Sequence, residues 1–225
     1  MAFDFFSYDI YLKNVFLDNA QKKYTLEAGE QYFAPDDKYI YLLNQGIIKV
    51  YVNDMEGNER LLWLLREGCV IPTFHAKKLN ISKQIQVVKT CELLMITKEN
   101  FFSLGAAMPD FFLKFMDQIY ERYEGLIENF INDSNLFCKV RFYRLLYEIA
   151  VTSSVKLERG IILDDYLSRQ DMASLIGTHT TNISKYLLEL EKLGVLQRLS
   201  GKRILVIDLE YLEKMISELE EQRLR

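Results

Sequence analysis

The hydrophobic period of the chain changes once, near Pro109, and that change limits the folds open to it. Before it, β-branched and aromatic runs at 39–43, 47–52, 61–65, 85–88 and 93–96 alternate with turn residues, the pattern of an antiparallel barrel or sandwich. After it, Phe112, Met116, Ile119, Tyr123, Leu126 and Phe130 follow at spacings of 4, 3, 4, 3 and 4, with charged Lys114, Asp117, Glu121, Arg122, Glu124 and Glu128 between them. That is an a/d seam. Such a stripe can lie on the chain's own barrel or on a second copy. A barrel does not cover a long helix end to end, so the spacing favours a parallel two-helix dimer seam.

Within the first part, residues 53–58 supply turn chemistry, and glycines at 46, 57 and 68 recur every eleven residues, as evenly spaced turns in a roll would require. Asp133, Ser134 and Asn135 break the helical seam and offer N-caps to a new helix over 136–151. A strand is expected at 161–163, then helices at 169–176 and 179–193 joined across Gly177. A hairpin pairing 196–199 with 204–207 and a charged helix over 209–225 complete the pattern.

Composition narrows the function classes. The 225 residues suffice for one large or two small domains with a core, and 49% hydrophobic with 27% charged residues is an ordinary globular mixture. Cys69, Cys91 and Cys138 are widely spaced and odd in number, which argues against a disulfide framework or closed zinc site and for a reducing, cytoplasmic setting. Residues 1–9 lack the basic and apolar regions of a signal peptide, and no apolar run approaches a membrane span. Two histidines, without a Ser/His/Asp arrangement or a Gly-rich phosphate loop, offer little to an enzyme reading. Net charge is −4, yet residues 138–208 hold 11 Lys and Arg against 8 Asp and Glu, so the basic excess is local.

Helix, glycine turn, helix and hairpin make a winged helix-turn-helix, whose second helix enters the major groove. Ala173, Leu175, Ile176, Ile183, Leu187 and Leu190 give the two helices an inward stripe. Thr178, His179, Thr180, Thr181, Asn182, Ser184 and Lys185 gather short polar side chains where the second begins. The residues 167–177 and 180–187 resemble the carboxy-terminal motif of the CRP/FNR family of bacterial transcription regulators. Upstream, Ala28-Gly29-Glu30, the run 41–46, Ile48-Lys49-Val50-Tyr51 and Gly57-Asn58-Glu59 resemble that family's sensor roll.

The resemblance implies an α+β architecture in three parts. These are an antiparallel β-roll of the cyclic-nucleotide-binding or cupin-like kind over 1–107, a long central dimerisation helix and hinge over 108–135, and a winged helix-turn-helix over 136–225. It further implies a homodimer on two-fold-related double-stranded DNA, with recognition helices about 34 Å apart, and RNA polymerase as a partner. Carried over by position, Arg169 and Gln170 touch the DNA backbone, Thr180, Thr181 and Lys185 face bases, and Lys202 and Arg203 meet phosphates from the wing. Thr178, His179 and Ser184 complete the candidate DNA contacts. The family often has Arg-Glu where this chain has Thr180-Thr181, so a different target sequence is expected.

For the sensor, cyclic-nucleotide-binding relatives use a Gly-Glu pair for ribose and an Arg-Ser pair for phosphate. Here Pro72-Thr73 and Ile81-Ser82 stand in their place, which argues against cyclic AMP, since a buried phosphate needs a cation. The family's iron-sulfur branch needs four cysteine ligands that this chain lacks. Cys69 and His75 fall where its haem branch places iron ligands, an alternative weighed against a small core cysteine and a loop histidine. A small organic effector remains open, lined by Pro72, Thr73, Phe74, Ser82, Tyr120, Tyr123 and Ile127, as does a ligand-free core. A sensor whose winged domain binds protein is the remaining rival, and steep salt dependence would separate it from a DNA binder.

Overall fold

Two long strands, β3 (Tyr39–Asn53) and β6 (Ser82–Thr97), pair antiparallel along their length and organise the first half of the chain. The computed structural model describes residues 9–33, 36, 38–53, 59–71, 82–131, 135–152, 155–163, 167–200 and 203–224. Around the long pair stand β1 (Lys22–Leu26) and β2 (Gln31–Phe33) on β6, and β4 (Glu59–Arg66) and β5 (Val70–Ile71) on β3, all antiparallel.

The sequence pattern divides each long strand in two, and the structure corrects this. Gly46 is no turn: it sits inside β3, among register irregularities between Leu43 and Ile48. Its φ of +97°, and a position where a Cβ would lie 2.5 Å from the Cys91 Cβ, explain why glycine stands there. Gly57 and the turn run 54–58 lie outside the described residues, whereas Gly68 does turn the chain between β4 and β5.

Alternation along the strands feeds two cores at once. Tyr41, Leu43, Ile48, Val50, Val87 and Leu93 fill the roll interior, while Leu42, Leu94 and Ile96 point to the other face. There they meet α1 (Ile10–Asn19), α2 (Lys98–Ala107) and α3 (Pro109–Ile131) through Leu12, Phe16, Phe101 and Phe111. Helix α1 is absent from the sequence expectation because its stripe is only Leu12, Val15 and Phe16. Asp9 caps it, accepting from the Leu12 N–H at 2.9 Å. Burial pushes the Cys91 thiol in the roll core up to about 11, so it stays protonated at neutral pH.

The chain divides into two compact units, Met1–Leu126 and Ile127–Arg225. The second holds α4 (Asn135–Thr152), β7 (Lys156–Leu157), β8 (Gly160–Ile162), α5 (Arg169–Leu175), α6 (Thr180–Lys192), β9 (Leu196–Arg198), β10 (Ile204–Val206) and α7 (Leu209–Leu224). Its strands form one antiparallel sheet in the order β7-β8-β10-β9, with the β9–β10 hairpin as the wing. Helix α7 lies against α4, where Arg144 pairs with Glu220. The architecture is α+β, an antiparallel sheet and helices followed by a winged helix-turn-helix. Hinge residues Asp133 and Ser134 lie outside the described residues.

Candidate nucleic-acid interface

The turn between α5 and α6 is fixed from several sides. Ser168 opens α5 with a capping box: its hydroxyl accepts from the Asp171 N–H at 3.0 Å and its own N–H donates to the Asp171 carboxylate at 2.9 Å. At the far end Gly177 takes φ +65°, and the Thr178 N–H donates to the Ala173 carbonyl at 2.9 Å. From α4, Arg141 reaches this turn, its Nε donating to the Ile176 carbonyl at 2.9 Å and one Nη to the Cys138 Sγ at 3.4 Å. The Cys138 thiol in turn donates to the Gly177 carbonyl at 3.8 Å.

Arg141 is only 2% exposed, so its hydrogen bonds are made without competition from water. Replacing it by Met leaves the Ile176 carbonyl without this donor and is expected to cost the winged unit about 2–3 kcal/mol in chemical denaturation. A loss under about 0.5 kcal/mol would refute the clamp.

Helix α6 buries Ile183, Tyr186, Leu187 and Leu190 and turns the opposite face outward. Burial, with nearby Cys138 and Glu189 adding to it, pushes the Tyr186 phenol up to about 12, and Tyr143 beneath rises further for the same first reason. Both stay neutral. Lys139 and Glu189 pair at 2.6 Å and hold the helix to α4. At the other edge Arg198 of the wing pairs with Glu191, which holds that carboxyl below its usual range.

The expected DNA contacts can now be placed. His179 is the N-cap residue of α6, exposed and without a side-chain capping bond. Thr180, Thr181 and Lys185 are exposed on its first turns, as are Arg169 and Gln170 at the start of α5 and Arg203 before β10. Thr178 and Ser184 are half-buried: Thr178 accepts from the Asn182 amide at 2.9 Å and the Ser184 hydroxyl donates to the Thr180 carbonyl at 3.2 Å. Lys202 lies outside the described residues. Among the described residues Arg169, Lys185 and Arg203 have no ion-pair partner, whereas Arg198 is neutralised by Glu191. Leu188, 43% exposed, shares the outer face at helical spacing from Thr181 and Lys185 and was not singled out by sequence.

In the first unit α3 has two working faces. Phe111 and Phe115 pack into the helical core, and below them Gln118 and Arg122 bond the backbone of the β4–β5 turn. The Gln118 amide donates to the Gly68 carbonyl at 2.8 Å and its oxygen accepts from the Val70 N–H at 3.0 Å, while Arg122 donates to the Val70 carbonyl at 2.5 Å. Burial lowers the Arg122 pKa from its ordinary value, and its guanidinium lies against Cys69. On the other face Phe112, Met116 and Tyr123 of the expected seam are exposed, with Ile119 and Leu126 half-buried; the Phe130 side chain lies outside the described residues.

Of the expected effector pocket, Tyr120, Tyr123 and Ile127 are exposed on α3, while Pro72, Thr73, Phe74, His75 and the Ser82 side chain lie outside the described residues. The Cys69 thiol is enclosed in the roll core beside Arg122, which does not suit an iron ligand needing an open face for haem.

Residues 140–215 match the family model of the Crp-like helix-turn-helix domain. The second unit carries a Crp-like helix-turn-helix domain. The match covers α5, α6 and the wing strands, and its residue range includes every candidate DNA contact. No curated protein sequence matches the chain. Solved structures do. A CooA mutant from Carboxydothermus hydrogenoformans is similar over 90% of each chain at 20% identity and a TM-score of 0.63. FixK2 from Bradyrhizobium japonicum is similar at 13% identity and 0.62, over 86% of this chain and 96% of its own. The regulator CLP from Xanthomonas campestris is similar at 18% identity and 0.60, over 89% of this chain and 100% of its own. The fold that the chain shares with these solved structures thus extends beyond the Crp-like domain over most of its length. Among the described residues no helix is long and apolar enough to cross a membrane.

Proposed function

We propose that the protein is a cytoplasmic transcription regulator that binds a palindromic operator in double-stranded DNA as a homodimer, under control of a small effector other than cyclic AMP. The observation that carries this reading is the outer face of α6. Thr180, Thr181 and Lys185 are exposed above a fully packed inner stripe, and Arg169 and Arg203 flank them without carboxylate partners. Short polar side chains reach base edges in a major groove, and unpaired cations displace counterions from phosphates. The exposed α3 seam supports a two-helix dimer, which would place two such faces on two half-sites. RNA polymerase would then be the partner through which promoter occupancy is read out.

The effector rests on a narrower argument. CLP, which shares the fold, is a c-di-GMP responsive regulator. In this chain the family's cyclic-nucleotide phosphate pair is replaced by Ile81-Ser82, so the ligand differs in chemistry. Any effector acts only through its difference in affinity for the two dimer states.

The test is selection of duplex DNA by the purified protein, followed by binding of the winner across a salt series. A palindromic winner is expected, with Lys185→Ala weakening it by about tenfold or more and flattening the salt dependence. Enrichment of no sequence with any candidate effector, or an affinity indifferent to salt, would sink the reading in favour of a protein-binding winged domain.

A further inference from the structure

The winged unit contains a cavity that a DNA-reading surface does not require. It measures 490 Å³ and lies among α5, α6 and the wing, within the roughly 300–1,000 Å³ common for small-ligand pockets. Its floor is apolar, formed by the buried side chains of Leu167, Met172, Leu187 and Ile204. Arg169, Arg198 and Arg203 also line it, and all three are exposed to solvent.

The three guanidiniums are not equivalent. Arg198 is doubly bonded to the Glu191 carboxylate, which offsets its charge. Arg169 donates only to the Ser184 hydroxyl at 3.4 Å, and Arg203 only to the Ser200 carbonyl at 3.5 Å. Two guanidiniums without carboxylates therefore border an apolar hollow. A hydrated inorganic anion would leave the floor unfilled, and a neutral apolar molecule would leave both cations without a partner. A molecule with one carboxylate and an apolar body satisfies both, because a carboxylate matches the guanidinium fork and the body removes apolar surface from water.

We propose that this cavity binds a small amphipathic carboxylate, with its apolar body on the Leu167–Met172–Leu187–Ile204 floor and its carboxylate between Arg169 and Arg203. The same arginines are assigned to DNA phosphates above, so an occupant withdraws them from the duplex and the two ligands oppose each other. That second consequence rests on the DNA-binding reading, whereas occupancy of the cavity does not. Linkage makes the opposition reciprocal: bound duplex lowers affinity for the carboxylate by the same factor.

Decanoate is the probe, titrated calorimetrically into the full-length protein without DNA, with decanol as the uncharged control. Saturable binding at one site per chain is expected, with decanol and an Arg169→Gln, Arg203→Gln double variant each weaker by about tenfold or more. Leu199→Trp, which fills the mouth of the cavity with an indole, is expected to abolish binding; circular dichroism and thermal midpoints show that the variants fold. No saturable heat, decanol binding as tightly as decanoate, or an unchanged affinity in the double variant would overturn the proposal. In a second measurement decanoate weakens binding of the selected duplex to the wild type and leaves the Leu199→Trp complex indifferent. If selection yields no duplex, calorimetry still decides the cavity; if the duplex binds and calorimetry is silent, the cavity alone falls.

Discussion

The paired substitution Met116→Glu and Tyr123→Glu is expected to turn the proposed dimer into a monomer in sedimentation and to lower affinity for the proposed operator by about a hundredfold or more. The two side chains are 44% and 59% exposed on the outer face of α3, away from the Gln118 and Arg122 face that holds the helix to the roll. In an unpaired chain the change is therefore mild. In a two-helix seam it sets carboxylates opposite their own copies in an apolar strip, and an uncompensated buried charge costs about 3–5 kcal/mol. About 3 kcal/mol is already roughly a hundredfold in affinity. On the proposed reading, loss of the dimer would then remove one of two recognition helices from the site. A variant that stays dimeric, or that binds the duplex as a monomer with full affinity, would place the interface elsewhere.

The second large effect concerns stability. Gly46→Ala is expected to destabilise the first unit by roughly 3 kcal/mol or more, combining a strained backbone, about 1–3 kcal/mol, with overpacking of similar size. A Cβ at this φ of +97° would stand 2.5 Å from the Cys91 Cβ and 2.6 Å from the Thr90 carbonyl oxygen, so strands β3 and β6 would have to part. The single tryptophan, Trp63, packs against the roll core and reports the transition in urea. Gly29→Ala supplies the comparison, because φ there is +92° with nothing near the added methyl group, and only about 1 kcal/mol of backbone cost is expected. Equal losses at the two positions would show that the close approach of the strands contributes nothing.

The winged unit was legible to within a residue or two. The expected helices 169–176 and 179–193 became α5, Arg169–Leu175, and α6, Thr180–Lys192, because a glycine turn and clear inward stripes mark their limits. The expected hairpin formed for the same reason. In the roll, the even glycine spacing predicts turns, yet Gly46 lies within a continuous strand instead of ending it. Helix α3 was legible on one face only. Its second stripe includes Gln118 and Arg122, and a charged residue between seam positions reads as solvated, whereas Arg122 is 8% exposed and bonded to backbone. Arg141 escaped notice in the same way, since nothing local in a sequence separates a buried, turn-bonding arginine from a surface one. The candidate DNA contacts come from the polar cluster at the start of α6 and from the family resemblance; the cavity beside them depends on which side chains three separate elements bring together.

The bonds that hold α3 to the roll end on main-chain atoms: the Gly68 carbonyl, the Val70 N–H and the Val70 carbonyl. Such an attachment is blind to the side chains carried by the strand it grips. Volume-conserving apolar substitutions at the buried Val70 and Ile71 can therefore leave these bonds in place, provided the backbone path is kept. Apolar repacking inside the roll can thus proceed around an unchanged mechanical linkage between sheet and helix.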